Sequence, residues 1–333
     1  MKKLHVGFAS FAHMHAYSYF SCMQEMEDVV VKAVAEENTS SIPKVKGLGL
    51  KTYSTYEELA KDDEIDVVIV TTETLHHKRA AILSLEAGKD VIVEKPIAIT
   101  LEDADAMIRA ADKNGRMLIQ CYPCRYHPTA SYLKDFITDG SMGKLLAISG
   151  TNRGQMPQHA GVEKWFSKKD LAGGGALMDH ITHLADLYFW YSDQAIKSVY
   201  AMQANLFHPD VDIEDAGMVS LTYDQGMTGS IDPSWSRPKN YETWGDLKMV
   251  LYGTEATISL DMFRQFIRIQ SNNETHPMVP NYGSNMDALM LEDFFDHIRK
   301  DEPPMLTGQD GRKALEVALM AYESAEEGRR IEK

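Results

Sequence analysis

The chain has 333 residues, 44% of them hydrophobic and 25% charged, with a formal charge of −15. That length favours two hydrophobic cores over one. The composition excludes disordered and low-complexity classes, and the acidic balance excludes sequence-independent binding to nucleic acid, which depends on Lys and Arg against phosphates. No segment approaches the roughly 20 apolar residues of a membrane span. The start Met1-Lys2-Lys3-Leu4-His5-Val6 leads into a strand without an apolar signal region, so the expected location is the cytosol, with no membrane contact. Three cysteines, Cys22, Cys121 and Cys124, cannot complete a disulfide framework, which fits a reducing compartment.

In chain order, the first 120 residues alternate strand and helix patterns, as a parallel sheet with right-handed crossovers requires. Strands are expected at Leu4–Ala9, Val29–Ala35, Val67–Thr71, Asp90–Val93 and Met117–Cys121. Helices are expected at 14–26, after the capping box Thr55-Tyr56-Glu57-Glu58, at 76–87 and at 101–114, with Gly88 and Gly115 at helix ends. The pair Cys121 and Cys124 matches C-x-x-C, yet it follows a fifth strand instead of opening a small redox domain.

Beyond Pro123 the alternation stops. A helix near 128–138, a strand Lys144–Gly150, a loop-rich stretch to Gly175 and a helix to Trp190 are followed by β-rich segments at 196–206, 215–223, 226–232, 246–252, 255–260 and 264–270. Helices at about 285–300 and 308–327 close the chain. The expected fold class is α/β plus α+β: an N-terminal doubly wound parallel (Rossmann) sheet, residues 1–122, and a C-terminal α+β domain, residues 123–333, built on a large, mainly antiparallel open sheet. One face of that sheet carries helices; the other is left to meet another subunit.

The first turn, Gly7-Phe8-Ala9-Ser10-Phe11-Ala12, fits G-x-G-x-x-G with alanine at the second and third glycine positions. Gly7 would supply the tight turn, Ala9 would let the backbone approach a pyrophosphate, and Ala12 would keep helix and strand close. The pyrophosphate would sit on free N–H groups at the N-terminus of the next helix. Glu36, ending the second strand, can accept bonds from both adenosine ribose hydroxyls. With Glu37 beside it and no adjacent Arg in sequence, NAD is favoured over NADP.

Glu94-Lys95-Pro96 follows the apolar run Val91-Ile92-Val93, where an open α/β sheet delivers residues to a ligand crevice. Lys95 is the first residue there to test for chemistry. In the second half, Gly173-Gly174-Gly175 runs into Ala176-Leu177-Met178-Asp179-His180-Ile181-Thr182-His183. Asp179 and His183, four apart, share a helix face, and a carboxylate beside an imidazole raises its basicity. His183 is the best proton acceptor in the sequence. Asp179, His180 and His183 are candidate metal ligands, but adjacent residues diverge by about 100° on a helix, so no metal is expected.

These motifs, in this order, resemble the glucose-fructose oxidoreductase, inositol dehydrogenase and MocA family over essentially the whole chain. The resemblance runs through Gly7 to Ala16, Thr71 to His76, Leu85 to Pro96, Arg125, Gly140 to Gly143, Gly173 to His183, Glu214-Asp215, Gly253 to Ala256 and a closing helix near Ala314 to Gly328. It implies a two-domain enzyme that uses a nicotinamide dinucleotide on a carbinol carbon of a sugar, cyclitol or related polyol. It further implies that Lys95 and His183 flank the reacting hydroxyl, with Asp179 holding the histidine or a substrate hydroxyl. Glu94 would face the nicotinamide ribose, Thr71, Thr72 and His76 would line the cofactor cleft, and the Lys95-Pro96 bond is often cis in such families. The chain departs from the family at Thr72-Glu73, where many relatives have Pro-Asn, and at Ile181, where they have glycine.

The resulting expectation is an NAD-dependent dehydrogenase or reductase that assembles as a homodimer or homotetramer through the C-terminal sheet. His183 would move the proton, and Lys95, whose ordinary pKa of about 10.4 makes it a poor base, would steady the alkoxide. The rival readings are a redox-neutral glycoside hydrolase or lyase with bound NAD, and a catalytically silent NAD-sensing protein. Arg125, Tyr126, Arg153, His159, Lys164, Trp165, His180 and Trp235 are candidate substrate-lining residues.

Overall fold

The computed structural model describes residues 3–38, 42–157, 164–264 and 283–333. Within them the chain forms two compact units.

The first unit contains β1 (Leu4–Ala9), α1 (His15–Gln24), β2 (Val29–Ala35), α2 (Ile42–Lys46), β3 (Lys51–Tyr53), α3 (Tyr56–Ala60) and β4 (Val67–Val70). It continues with α4 (His77–Glu86), β5 (Asp90–Val93), α5 (Leu101–Asn114) and β6 (Leu118–Gln120). The strands lie in the order β3-β2-β1-β4-β5-β6, all parallel. Every residue of β4 and β5 is buried, as expected for central strands covered on both faces. The capping box at Thr55 and Glu58 is present, Thr100 caps α5, and Gly115 (φ 58°) and Gly88 (φ 79°) take the left-handed conformation that ends helices. The edge strand β3 was not anticipated, because three half-exposed residues give no periodic signal.

A boundary at 122/123 does not describe this unit fully. It also takes in residues 164–173 and Asp287–Glu316, which return from the second half. The Trp165 indole donates to the Ala12 carbonyl (3.2 Å). Arg299 pairs with Asp28 (2.8 Å) and Arg312 with Asp105 (2.5 Å), while Gly311 lets the last helix lie against Gln120. Long-range partners of this kind leave no local sequence signal.

In the second unit lie α6 (Pro128–Thr138), β7 (Leu145–Gln155), α8 (Ala176–Ser192), β8 (Ile196–Ala204), β9 (Ala216–Tyr223), β10 (Thr228–Arg237), β11 (Gly245–Gly253) and β12 (Thr257–Asp261). The short α7 (Lys169–Ala172) and α9 (Met286–Lys300, from Asp287 on) belong to the first unit. The chain ends with α10 (Gly308–Glu327), which belongs to the second unit from Val317 onward, and β13 (Ile331–Glu332). The seven-stranded sheet runs β12-β11-β7-β10-β9-β8-β13, antiparallel except for the β10–β7 pair. Two strands are longer than expected: β7 reaches Gln155, and β10 continues through Pro233. The strand expected over 264–270 lies, beyond Arg264, outside the described residues.

One face of this sheet carries α8, whose Tyr188 hydroxyl donates to the Ser230 carbonyl (2.8 Å). The strands alternate, so Tyr200, Met202, Met218 and Tyr252 stand exposed on the other face. Among the described residues no helix is long and apolar enough to cross a membrane.

Candidate active site

The β1–α1 turn is shaped by Ser10. Gly7 lies within β1 and its missing Cβ makes room for Leu59; it does not form the turn. The left-handed residue is Ser10 (φ 68°). Its hydroxyl donates to Glu36 Oε2 (2.8 Å) and accepts from the Ala12 N–H (3.0 Å), and the Phe11 N–H donates to the same carboxylate oxygen (3.1 Å). Two N–H groups at this turn are thus engaged by the protein itself. Glu36 also accepts from Asn38 N (3.0 Å). Burial pushes its carboxyl above the usual range, against the pull of Phe11, Ser10 and Asn38. Glu36 is therefore the clamp of the turn.

The sheet order reverses direction between β1 and β4, which is where a doubly wound sheet opens its crevice. The small residues Ala9 and Ala12 line the β1 side, and Thr71 joins the two strands there. The Thr71 hydroxyl donates to the Ser10 carbonyl (2.7 Å), and the His13 N–H donates to the Thr71 carbonyl (3.0 Å). Beyond the end of β2, Arg79 does approach Glu37 (2.7 Å), but Glu57 holds it as well (2.8 Å). Two carboxylates neutralise that one cation, so among the described residues Arg79 offers no unpaired positive charge to a 2′-phosphate. Thr72 directs its hydroxyl at the Glu73 carbonyl (2.8 Å).

His76 stands half-buried at the N-cap position of α4 without a side-chain capping bond, while its neighbour His77 bridges the strand ends. His77 Nδ1 lies 3.0 Å from the Pro96 carbonyl and Nε2 3.3 Å from the Thr72 carbonyl. Burial lowers its pKa, against the pull of Glu94 and of the backbone carbonyls. Sequence reasoning passed over His77, although its place one turn after β4 was the available signal.

At the end of β5 the Lys95-Pro96 bond is cis. Glu94 has no solvent exposure. Its Oε1 meets His15 Nδ1 (2.7 Å) and the Tyr19 hydroxyl (2.6 Å), its Oε2 accepts the Lys95 N–H (2.5 Å), and His13 Nδ1 stands 4.0 Å away. Burial opposes the charge on Glu94, but His13, His15 and Lys95 together outweigh it and hold the carboxyl well below the usual range. For His15, burial pulls downward and the Glu94 carboxylate more than reverses it. Lys95 is itself buried, with its amine 5.9 Å from the centre of the Phe166 ring.

In the second unit the glycines before α8 serve close packing. A Cβ on Gly174 would collide with the Tyr322 hydroxyl and one on Gly175 with the Glu214 carbonyl. Glu214 Oε1 accepts from Gly175 N (2.8 Å), Leu177 N (3.1 Å) and the Tyr322 hydroxyl (2.6 Å), so it caps the helix. Its neighbour Asp215 accepts from three successive N–H groups, those of Leu206, Phe207 and His208. Along α8, Asp179 Oδ2 accepts from the Trp235 indole (2.9 Å) and faces His180 Nε2 (3.1 Å). The 100° divergence that separated Asp179 from His180 in the sequence reading is bridged by side-chain length. His183, one turn on, is only partly buried.

Several substrate candidates have structural partners. Arg125 forms a buried fork on Asp186 (2.8 and 2.6 Å). Trp165 belongs to the first unit, beside His13 and Phe166. His180 faces Asp179, Arg153 pairs with Asp232 and Trp235 holds Asp179; Lys164 is exposed and Tyr126 buried. His159 lies outside the described residues. None of the three cysteines is in a disulfide, and burial pushes the Cys121 thiol well up, away from the low pKa of a reactive dithiol.

Residues 2–122 match the model of an oxidoreductase family with an NAD-binding Rossmann fold, and residues 131–259 match the GFO/IDH/MocA C-terminal domain. The chain belongs to the GFO/IDH/MocA family. Its first unit is accordingly the family's NAD-binding Rossmann domain, and the crevice between β1 and β4, with small residues at its mouth and an acidic β2 end, fits a dinucleotide. This family member is 26% identical to a 1,5-anhydro-D-fructose reductase from Ensifer adhaerens, over 92% of this chain and 91% of that protein. It is 24% identical to a myo-inositol 2-dehydrogenase from Thermotoga maritima, over 98% and 96%. Among solved structures it resembles GenD2 from gentamicin A biosynthesis in complex with NAD, with a TM-score of 0.89 and 23% identity over 100% of this chain and 97% of that one. A levoglucosan dehydrogenase in complex with NADH and levoglucosan shares the fold at a TM-score of 0.84 and 22% identity, over 99% of both chains.

Proposed function

We propose that this GFO/IDH/MocA protein interconverts a secondary alcohol and its ketone on a sugar, cyclitol or similar polyol, with NAD supplying the hydride acceptor. The observation that carries the reading is the buried Lys95, fixed through its own N–H to Glu94 at the carboxyl end of β5 on the NAD-binding sheet. A charged amine in so dry a place acts on developing negative charge more strongly than it would in water. Lys95 steadies the alkoxide, and His183, the partly accessible imidazole of α8, takes the hydroxyl proton and returns it in the reverse direction. Asp179, held by the Trp235 indole and facing His180, places its carboxylate one turn before His183 on α8. Thr71, Thr72, His76 and Glu94 bound the cofactor cleft. The names of the relatives, reductases and dehydrogenases of cyclic polyols and sugars, support this substrate class. We place the enzyme in the cytosol, as a homodimer or homotetramer joined through the open sheet face.

The test is a screen of neutral sugars, cyclitols and their keto forms for NAD(H)-linked absorbance change. Net NADH formed in step with product is expected; turnover without it would favour the redox-neutral route, and NAD binding without turnover the sensing role. With a substrate in hand, His183→Ala is expected to lower turnover by about 10²- to 10⁴-fold while NAD affinity holds. Unchanged turnover would remove His183 from the chemistry.

A further inference from the structure

We propose that His13, His15 and Glu94 form a binding site for one divalent transition-metal ion, Zn²⁺ or a similar borderline cation. The two histidines flank Met14 at the start of α1, and the carboxylate arrives from the end of β5, 79 residues after His15. His13 Nδ1, His15 Nδ1 and Glu94 Oε1 lie within 4.8 Å of one another. Ligand atoms on one tetrahedral zinc stand about 3.3 Å apart when each bond is about 2.0 to 2.1 Å. The observed separations from Glu94 Oε1, 2.7 Å to His15 and 4.0 Å to His13, bracket that value.

The donor chemistry also fits. Two imidazoles and a carboxylate are a known zinc-binding set that leaves a fourth position open, and imidazole favours Zn, Cu, Fe and Ni over Mg and Ca. The Tyr19 hydroxyl donates to the same carboxylate oxygen (2.6 Å) and so stands beside the cluster. His13 and Glu94 are buried, with 3% and 0% of their side-chain surface exposed, whereas His15 keeps 29%, which gives an ion a way in. The Nδ1 of His13 accepts the His15 N–H (3.2 Å), a bond that an incoming ion would have to replace. The ion would take the place of the proton shared by His15 and Glu94 and tie the start of α1 to the residue before Lys95. The metal ligands considered from sequence, Asp179, His180 and His183, are a different set.

The experiment uses the full chain after chelation and dialysis. Co²⁺ is titrated with its visible d–d bands as the signal, then displaced by Zn²⁺ under calorimetry. One ion per chain is expected, with a melting temperature that rises with free metal, as binding to the folded state alone requires. His13→Ala and His15→Gln are each expected to weaken binding beyond the roughly 10- to 100-fold that loss of an outer partner costs, while His297→Gln on α9 leaves it unchanged. Circular dichroism shows which variants fold, and the partly exposed His15 keeps the test open if His13→Ala does not. Binding weaker than millimolar, or equal affinity in the folded His15→Gln variant, overturns the site. The signal is spectroscopic, so the result is independent of whether hydride transfer is the reaction.

Discussion

A carboxylate without solvent survives as a charge only when donors surround it on all sides, and Glu94 meets His15, Tyr19 and the Lys95 N–H at once. Its folded-state pKa lies below the ordinary 4.5, so the stability it contributes is present above that value and is lost as pH falls through the lower folded-state value. The His15 contribution has the opposite sign: its pKa is raised, so its share is present below the ordinary 6.5 and fades as pH rises through the higher folded-state value. Glu94→Gln is therefore expected to lower the melting temperature most between pH 4.5 and 6.5, with the gap from wild type closing in acid. A gap that stays constant from pH 3 to pH 8 would mean that the carboxylate is not held as an ion. At this scale the sequence showed that Glu94 and Lys95 end a buried strand, since β-branched runs declare themselves. It could not show that His13, His15 and Tyr19 converge on Glu94, because their meeting depends on the crossing of α1 over β5. Nor could it show that Ser10, instead of a glycine, takes the left-handed position; only the Glu36 partner explains why a serine is tolerated there.

Among elements, α8 is the one whose placement matters most to the second unit, and three side chains fix it: Glu214 at its first turn, Trp235 at Asp179 and Arg125 at Asp186. The Arg125–Asp186 fork is buried on both sides, with 4% and 1% exposure. Removing one partner of such a pair typically costs about 3 to 5 kcal/mol, because it strands a charge, whereas replacing both with apolar groups costs far less. Arg125→Ala is expected to destabilise by that amount in equilibrium denaturation, and the double variant Arg125→Met, Asp186→Leu to recover most of it. Equal losses in the single and double variants would contradict a charge-stranding origin. The helix itself was legible from its apolar content and the preceding glycines. The Asp186 partner of Arg125 was not legible, because a cation after a strand reads the same whether it faces a ligand or a carboxylate 61 residues away.

At the level of the whole molecule, the two-core organisation follows from length and from the stop in strand-helix alternation near Pro123. The return of residues 164–173 and Asp287–Glu316 to the first unit does not, since it rests on partners such as Ala12, Asp28 and Asp105 far upstream. The open face of the large sheet bears on the proposed assembly. Met202 and Met218 are directly paired across β8 and β9 and are 58% and 49% exposed. If copies join there, Met202→Lys with Met218→Lys should yield monomers in light scattering, with the melting transition retained. An assembly unaffected by both lysines would have to use another surface. The cap on α8 has a consequence for what the second unit can hold. The positive end of a helix is a ready seat for phosphate or carboxylate, yet here Glu214 and Tyr322 already fill it, and burial keeps the Glu214 carboxyl above its usual range. A phosphorylated or acidic sugar would meet an occupied, negatively charged seat at that helix end, whereas an uncharged polyol loses nothing there.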